Sequence, residues 1–408
     1  MQLLLKLAWR NIWRNSRRSV LTILAVSFAT MLSVAMRGMQ IGTWESLITN
    51  LVHTFTGYAQ IQRPGYQKNP SLQLCFAYDD SLKSVLAKET SIVGFAPRVH
   101  ADGLVSFGEQ SLGAMIIGIA PETERSVSNV HTRVREGAFL SSDSAKDVVV
   151  GYKLLKNLNA HVGDRIVILA QGYDGSMGNM AYRISGSFKI GSPEFDGMAI
   201  FMGLTDLREL LGMTNQVHVV ALALNDLQSI DAVSTSLGQR LQKNRFQLVE
   251  WGEVSPELKK HLELDDVSGK LFLGILIVIV AFGILNTVLM SVTERFREFG
   301  VVLSMGMDQK GLVVLVALET LFITLVGVMI GDIIAWCINY YIVVNPIAIT
   351  GLESVEEQLG IEYKLLSTVR PSVFVNSSIA VLGISLLSCL YPAYRVWKLE
   401  PLKGLRFT

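Results

Sequence analysis

Three side chains have chemistry that conflicts with their surroundings. Asn286, Glu319 and Asp332 lie inside long apolar runs. Polar and ionised groups at such positions are expensive, and by default they are candidates for a proton path, a structural pairing or a substrate contact. Glu319 falls about two turns from the nearer end of its run. That depth favours snorkelling or pairing with a neighbouring helix over proton coupling. Asp332 lies toward the other end of the same run, where water can reach it. Gly327 and Gly331 precede it at helical spacing and allow another helix to approach closely.

A second candidate is the run Thr293–Met307, between two apolar stretches. Read as a helix, it places Val292, Phe296, Phe299 and Leu303 on one face and Glu294, Arg297 and Glu298 on the other, with acid–base pairs at i,i+3. A short amphipathic helix of this kind can dock into a soluble partner or merely link two spans, and periodicity does not separate the two. A third is the N-terminal segment. Leu4, Leu5, Ala8, Trp9, Ile12 and Trp13 share one helical face, and Lys6, Arg10, Arg14 and Arg17 share the other. This pattern predicts a helix lying in the membrane interface, with its tryptophans at headgroup depth.

Catalytic patterns are missing from the sequence. No G-x-x-x-x-G-K-[ST] loop occurs, the six histidines form no H-E-x-x-H, and no nucleophile elbow is present. The glycine-rich stretch Gly172–Asn179 is not followed by a helix start, so it reads as a hairpin tip and not as a phosphate cradle. Cys75, Cys337 and Cys389 are far apart and fit neither a disulfide framework nor a zinc site. The chain is expected to be a non-catalytic subunit that binds no cofactor.

Four elements must carry these residues. Ser19–Met36, Leu271–Val292, Leu312–Val344 and Val373–Val396 are each near or above the ~20 apolar residues that cross a bilayer, and inside hydrocarbon they must be helices. Half of the 408 residues are hydrophobic and 17% are charged, and mean hydropathy is +0.39. The net charge of +1 gives no basis for binding nucleic acid. Lys6, Arg10, Arg14, Arg17 and Arg18 precede the first run without an acid. Arg395, Lys398, Lys403 and Arg406 follow the last, with Glu400. The positive-inside rule then puts both termini and the Thr293–Met307 link in the cytoplasm, with the first run as an uncleaved signal anchor.

The expected layout is an α-helical membrane protein with four transmembrane helices and a large mixed α/β extracytoplasmic domain between helices 1 and 2. Its segments are an interface helix over 1–18, spans over 19–40, 267–292, 312–344 and 373–396, and the outer domain with stalks over 41–266. A cytoplasmic helix over 293–311, an outer loop over 345–372 and a tail over 397–408 complete it. Strand-like runs include Tyr58–Gln62, Leu112–Ile119, Asp147–Val150, Arg165–Ala170, Ala181–Ile190, Met198–Met202 and Val217–Leu224. Val217–Leu224, a helix over Leu227–Lys243 and Phe246–Val249 read as a strand–helix–strand unit. Ser255-Pro256-Glu257 is a helix start, from which a stalk runs into the second span, with Gly269 as its weak point.

Three segments resemble the FtsX-like and MacB-like permeases of ABC transporters, a family that includes lipoprotein-release permeases of the LolC and LolE type. They are Leu7-Ala8-Trp9-Arg10-Asn11-Ile12-Trp13-Arg14-Asn15 leading to Arg17-Arg18; Glu294-Arg295-Phe296-Arg297-Glu298-Phe299-Gly300 with Gly306; and Tyr391-Pro392-Ala393-Tyr394-Arg395 through Pro401-Leu402 and Leu405-Arg406. Their order extends the similarity over essentially the whole chain. The resemblance implies that Glu294, Arg295, Arg297, Glu298, Phe299, Gly300 and Gly306 form a coupling helix on a separate ATPase subunit, which would hold the ATP and Mg. It also implies a permease pair, a second copy or a paralogue, in the bacterial inner membrane, working by mechanotransmission. The function implied first is release of lipoproteins from the outer leaflet to a periplasmic carrier. Efflux of peptides or amphiphilic drugs with an adaptor, and non-transporting regulation of cell-wall hydrolases, are the alternatives.

Overall fold

The computed structural model describes residues 2–14, 16–241, 245–348 and 364–398. The chain divides into two compact units. One comprises residues 1–45, 262–348 and 364–408; the other is centred on residues 46–261.

The first unit is helical. Four helices are long and apolar enough to cross a membrane: Ser16–Thr56, Pro256–Glu294, Gln309–Val344 and Pro371–Trp397. They are called here the first to fourth spans. A helix over Gln2–Arg14 precedes them, and a short one over Phe296–Ser304 separates the second and third. The first span does not stop near Met36. It continues as α-helix to Leu51 and ends in a π-helical turn over Val52–Thr56. Gly38 and Gly42 do not break it because they are packing positions, facing the Asn339 side chain and the Ser367 backbone. Gly269 likewise sits within a continuous helix, against the Gln40 side chain. The link between the second and third spans is shorter than its periodicity suggested. Gly306 takes φ +97°, a left-handed conformation that suits glycine. The Asp308 side chain then caps the third span by accepting from Gly311 N at 2.9 Å.

The spans pack through small residues. On the third span, a Cβ added at Gly327 would lie 2.7 Å from Val26, and one at Gly331 would lie 2.6 Å from Ser27 O on the first. The expected close approach at these glycines is present. Val26, Ala29, Val280, Ile284, Val328 and Val381 bring residues of all four spans into one buried cluster.

The second unit is a mixed α/β domain. Its strands are β1 (Ala59–Gln62), β2 (Phe76–Ala77), β3 (Ile92–Phe107), β4 (Gln110–Ile119), β5 (Val134–Gly137) and β6 (Asp147–Gly151), followed by β7 (Arg165–Gln171), β8 (Met177–Phe188), β9 (Ala199–Gly203), β10 (Gln216–Val217), β11 (Val219–Leu224) and β12 (Gln247–Glu250). Ten of them form one sheet in the order β12-β1-β11-β3-β4-β9-β6-β8-β5, with β7 bridging β3 and β8. β11, the helix Ile230–Arg240 and β12 form a split crossover, because β11 and β12 both pair with β1. The expected helix over Leu227–Lys243 is a 3-10 turn over Leu227–Ser229 and an α-helix over Ile230–Arg240, with Leu241 already extended; residues 242–244 lie outside the described residues. Gly172–Asn179 includes the turn of the β7–β8 hairpin, closed by Gly172 N donating to Ser176 O at 2.7 Å.

The longest strand, β3, has no counterpart in the sequence reading. Gly94, Pro97 and Gly103 interrupt its alternation, and it buries Arg98 completely. The sheet tolerates this because Glu124 meets the guanidinium at 2.7 Å and Phe55 lies 4.0 Å beneath it. A second difference is local. Met198 closes a short helix over Phe195–Met198, so β9 begins one residue later than the strand-like run.

Candidate functional site

The N-terminal helix docks on the third span by part of its apolar face. Ala8 and Ile12 are buried, and Ala8 joins a cluster with Val292, Phe296, Phe299, Leu312, Leu315 and Val316. Trp9 and Trp13 remain about half exposed, at 47% and 52%. Lys6, Arg10, Arg14 and Arg17 are exposed on the polar side. The predicted apolar stripe is therefore divided. One strip packs on protein, and the tryptophan strip faces outward, with Trp9 also edge-on to Phe322 at 5.9 Å.

This helix is tied by charge to the short helix Phe296–Ser304 and its lead-in. Arg14 donates to Glu298, and beside it Arg18, at the start of the first span, donates two hydrogen bonds to the carboxylate of Glu294, the last residue of the second span. Arg295 reaches back to Glu319, with Nη1 at 2.9 and 3.0 Å from its two oxygens, and the Asn11 amide donates to the same carboxylate at 2.7 Å. The intramembrane acid is thus paired as sequence depth suggested, and its partners come from the N-terminal helix and the inter-span link. A polar cavity of about 240 Å³ runs among these groups.

The link helix uses its apolar face within the chain. Phe296, Phe299 and Gly300 are buried inside the chain itself, with Arg295 over the Phe299 ring at 4.9 Å. A face that already has neighbours is not available to another protein. What the helix leaves open is Arg297, Glu298, Val301 and Ser304, with Met305 just after it 76% exposed. Gly306 is exposed at the turn that follows. Sequence reasoning did not single out Val301 and Met305, because the apolar face it read was Val292, Phe296, Phe299 and Leu303 and these two fall off that face. The ending motif at Pro401-Leu402 and Leu405-Arg406 lies outside the described residues.

At the other end of the first and second spans is an open groove of about 740 Å³. Met36, Phe272, Leu273 and Leu276 contribute apolar wall, and Arg37, Gln40, Asp265 and Lys270 line its polar part. The two spans are joined beside it. Arg37 pairs with Asp266 at 2.7 Å, Trp44 donates to Asp265 at 2.6 Å, and Gln40 donates to Asp265 O at 2.8 Å. Nothing in the spacing of these residues marked them as a site, since the groove arises from the packing of three helices. Of the other intramembrane polar residues, Asn286 is exposed on the second span. Asp332 accepts from Ser378 at 2.8 Å.

The comparisons with known proteins agree with this architecture. The MacB-like periplasmic core domain matches residues 19–240, more than half of the chain, and the FtsX-like permease C-terminal region matches residues 270–401. The lipoprotein-releasing system transmembrane protein LolC of Neisseria meningitidis serogroup B is 23% identical, over 94% of this chain and 95% of its own. The macrolide export ATP-binding/permease protein MacB of a Shewanella species is 21% identical, over 95% of this chain and 58% of its own. Among solved structures, the periplasmic region of MacB from Actinobacillus actinomycetemcomitans is similar at a TM-score of 0.37 and 14% identity, covering 52% of this chain and 94% of that one. The four apolar helices, the α/β domain and both family matches identify the chain as a multi-pass membrane protein, an ABC transporter permease of the FtsX-like and MacB-like family.

Proposed function

We propose that this permease lifts acylated proteins from the outer leaflet of the bacterial inner membrane toward a periplasmic carrier, driven by a separate ATPase subunit. The observation that carries the reading is the groove between the first, second and fourth spans. Its wall of Met36, Phe272, Leu273 and Leu276 suits acyl chains, and its polar rim suits the hydrated part of a lipidated cargo. The lipoprotein-releasing name of a relative aligned along nearly its whole length supports that cargo.

In this reading both termini and the Phe296–Ser304 helix are cytoplasmic, and the α/β domain, set in the chain between the first two spans, is periplasmic. Arg297, Val301 and Met305 are the surface offered to the ATPase, which holds ATP and Mg. Arg295, Phe299 and Gly300 fix the helix to the rest of the permease, while Glu294 and Glu298, about half exposed, pair with Arg18 and Arg14 and border that surface. A second permease, a copy or a paralogue, completes the complex. The first span begins in the membrane unit and ends in the outer domain, and the second starts in the outer domain. Movement of the link helix driven by ATP is passed to these two spans through the Arg18–Glu294 and Arg14–Glu298 pairs.

The test is mass spectrometry of what copurifies with the chain and its ATPase in mild detergent without nucleotide. Triacylated lipoproteins that leave on addition of ATP and vanadate are the expected result. An adaptor protein with no acylated cargo would replace this reading with amphiphile efflux. A hydrolase activator would replace it with cell-wall regulation.

A further inference from the structure

Asp332 is a carboxylate at membrane depth that the permease mechanism does not use. One oxygen accepts from the Ser378 hydroxyl at 2.8 Å, and the other, Oδ1, is shielded from water and has no hydrogen-bond partner. Among the described residues no basic group lies within ion-pair distance of it. The nearby Arg370 is committed to Glu45 at 2.7 Å. An ionised carboxylate with one oxygen shielded and unpaired is costly, so the site calls for a cation.

The carboxylate lines a notch of about 390 Å³ between the third and fourth spans, whose other walls are Ile333, Trp336, Val369, Pro371 and Phe374. This lining is apolar apart from the acid and the edge of the indole. Trp336 is 48% exposed and stacks on Tyr340 at 5.3 Å, and Tyr341 next to it is exposed. Aromatic residues of this kind gather at the bilayer interface. Twenty residues separate Leu312 from Asp332, or about 30 Å of helix, which is one hydrocarbon thickness. An acid at headgroup depth, an aromatic ring beside it and an apolar cleft open to the side match a cation that carries acyl chains.

We propose that this notch binds the primary ammonium headgroup of a phosphatidylethanolamine-type lipid. The ammonium pairs with Asp332 and lies against Trp336, and an acyl chain fills the cleft along Ile333 and Phe374. The proposal rests on the membrane reading of the third and fourth spans and is independent of the cargo.

Native mass spectrometry of the delipidated full-length chain tests it, with equimolar phosphatidylethanolamine and phosphatidylglycerol of identical acyl chains. The expected result is about fivefold preferential retention of one ethanolamine lipid, lost in Asp332→Asn while glycerol-lipid binding is unchanged. Equal retention of the two lipids by the unaltered chain would overturn the proposal and make the notch an acyl groove only. A preference that survives Asp332→Asn would overturn it as well. If that variant does not fold, Trp336→Ala decides: a reduced preference supports the site, and an unchanged one refutes it.

Discussion

Arg18 and Glu294 are separated by 276 positions in sequence and meet through two hydrogen bonds. Asn11 and Glu319, 308 positions apart, meet at 2.7 Å. The first contact joins the start of the first span to the end of the second, and the second joins the N-terminal helix to the third span; with Arg14 on Glu298 of the link helix, a pull on that helix is shared by all of them. Reversing one charge, as Arg18→Glu or Glu294→Arg, is expected to reduce the stimulation of ATP hydrolysis by cargo several-fold without loss of ATPase binding. The double reversal is expected to restore it. Restoration would separate a pairing role from a contact with the ATPase, and failure to restore would contradict the clamp. None of these partners was legible in the sequence. Glu319 advertised a need for a partner through its depth, but which arginine answers is decided by tertiary packing.

His100 makes a different prediction at the same scale. It is buried in the outer domain, with Nδ1 at 3.1 Å from Tyr66 Oη, and its backbone N–H donates to His218 Nδ1 at 3.1 Å. Burial, with the neighbouring His218 and Arg98, pushes it from 6.5 down to about 3. Burial lowers His218 as well. A depressed histidine stabilises the fold fully above its unfolded value and loses that contribution as pH falls through about 6.5 toward 3. His100 alone removes about 2 kcal/mol by pH 5. Thermal unfolding of the outer domain in the full-length chain should shift down by several degrees between pH 7 and pH 5, and His100→Gln should flatten that slope. A pH-independent Tm in the unaltered chain would contradict the assignment.

The helices of the membrane unit were largely legible because bilayer thickness and backbone satisfaction leave few alternatives to a long apolar helix. Their ends were less so. Gly269 reads as a weak point from residue type alone, whereas it, like Gly38 and Gly42, accommodates a neighbour that only the folded bundle supplies. Strand β3 was missed for a related reason. Its Pro97, two glycines and buried Arg98 violate local strand preference, and Glu124, β4 and β11 compensate from elsewhere in the sheet. The glycines of the third span give the sharpest test at this scale. Gly331→Val would drive a side chain into Ser27 O and Thr30 Cβ on the first span, now 2.6 and 2.7 Å from an added Cβ. Overpacking of this kind destabilises by about 1–3 kcal/mol or more, seen as a lower Tm of the detergent-solubilised protein. An unchanged Tm would mean that the two spans do not pack as described.

For the molecule as a whole, the family could be inferred from three motifs in order, and the four spans from the apolar runs. The groove and the split use of the link helix could not, because both depend on which faces are left over once the helices have packed. The account depends on that groove being the place where cargo is held. The most direct measurement is photocrosslinking from Phe272 and Leu276, which line the groove wall, after replacement by a benzophenone amino acid in the chain assembled with its ATPase. The account predicts crosslinks to acylated lipoproteins in the nucleotide-free state that disappear with ATP and vanadate, and none from the same amino acid placed at Ile279, which is exposed on the second span outside the groove. Crosslinks to phospholipid alone, unchanged by nucleotide, would contradict it.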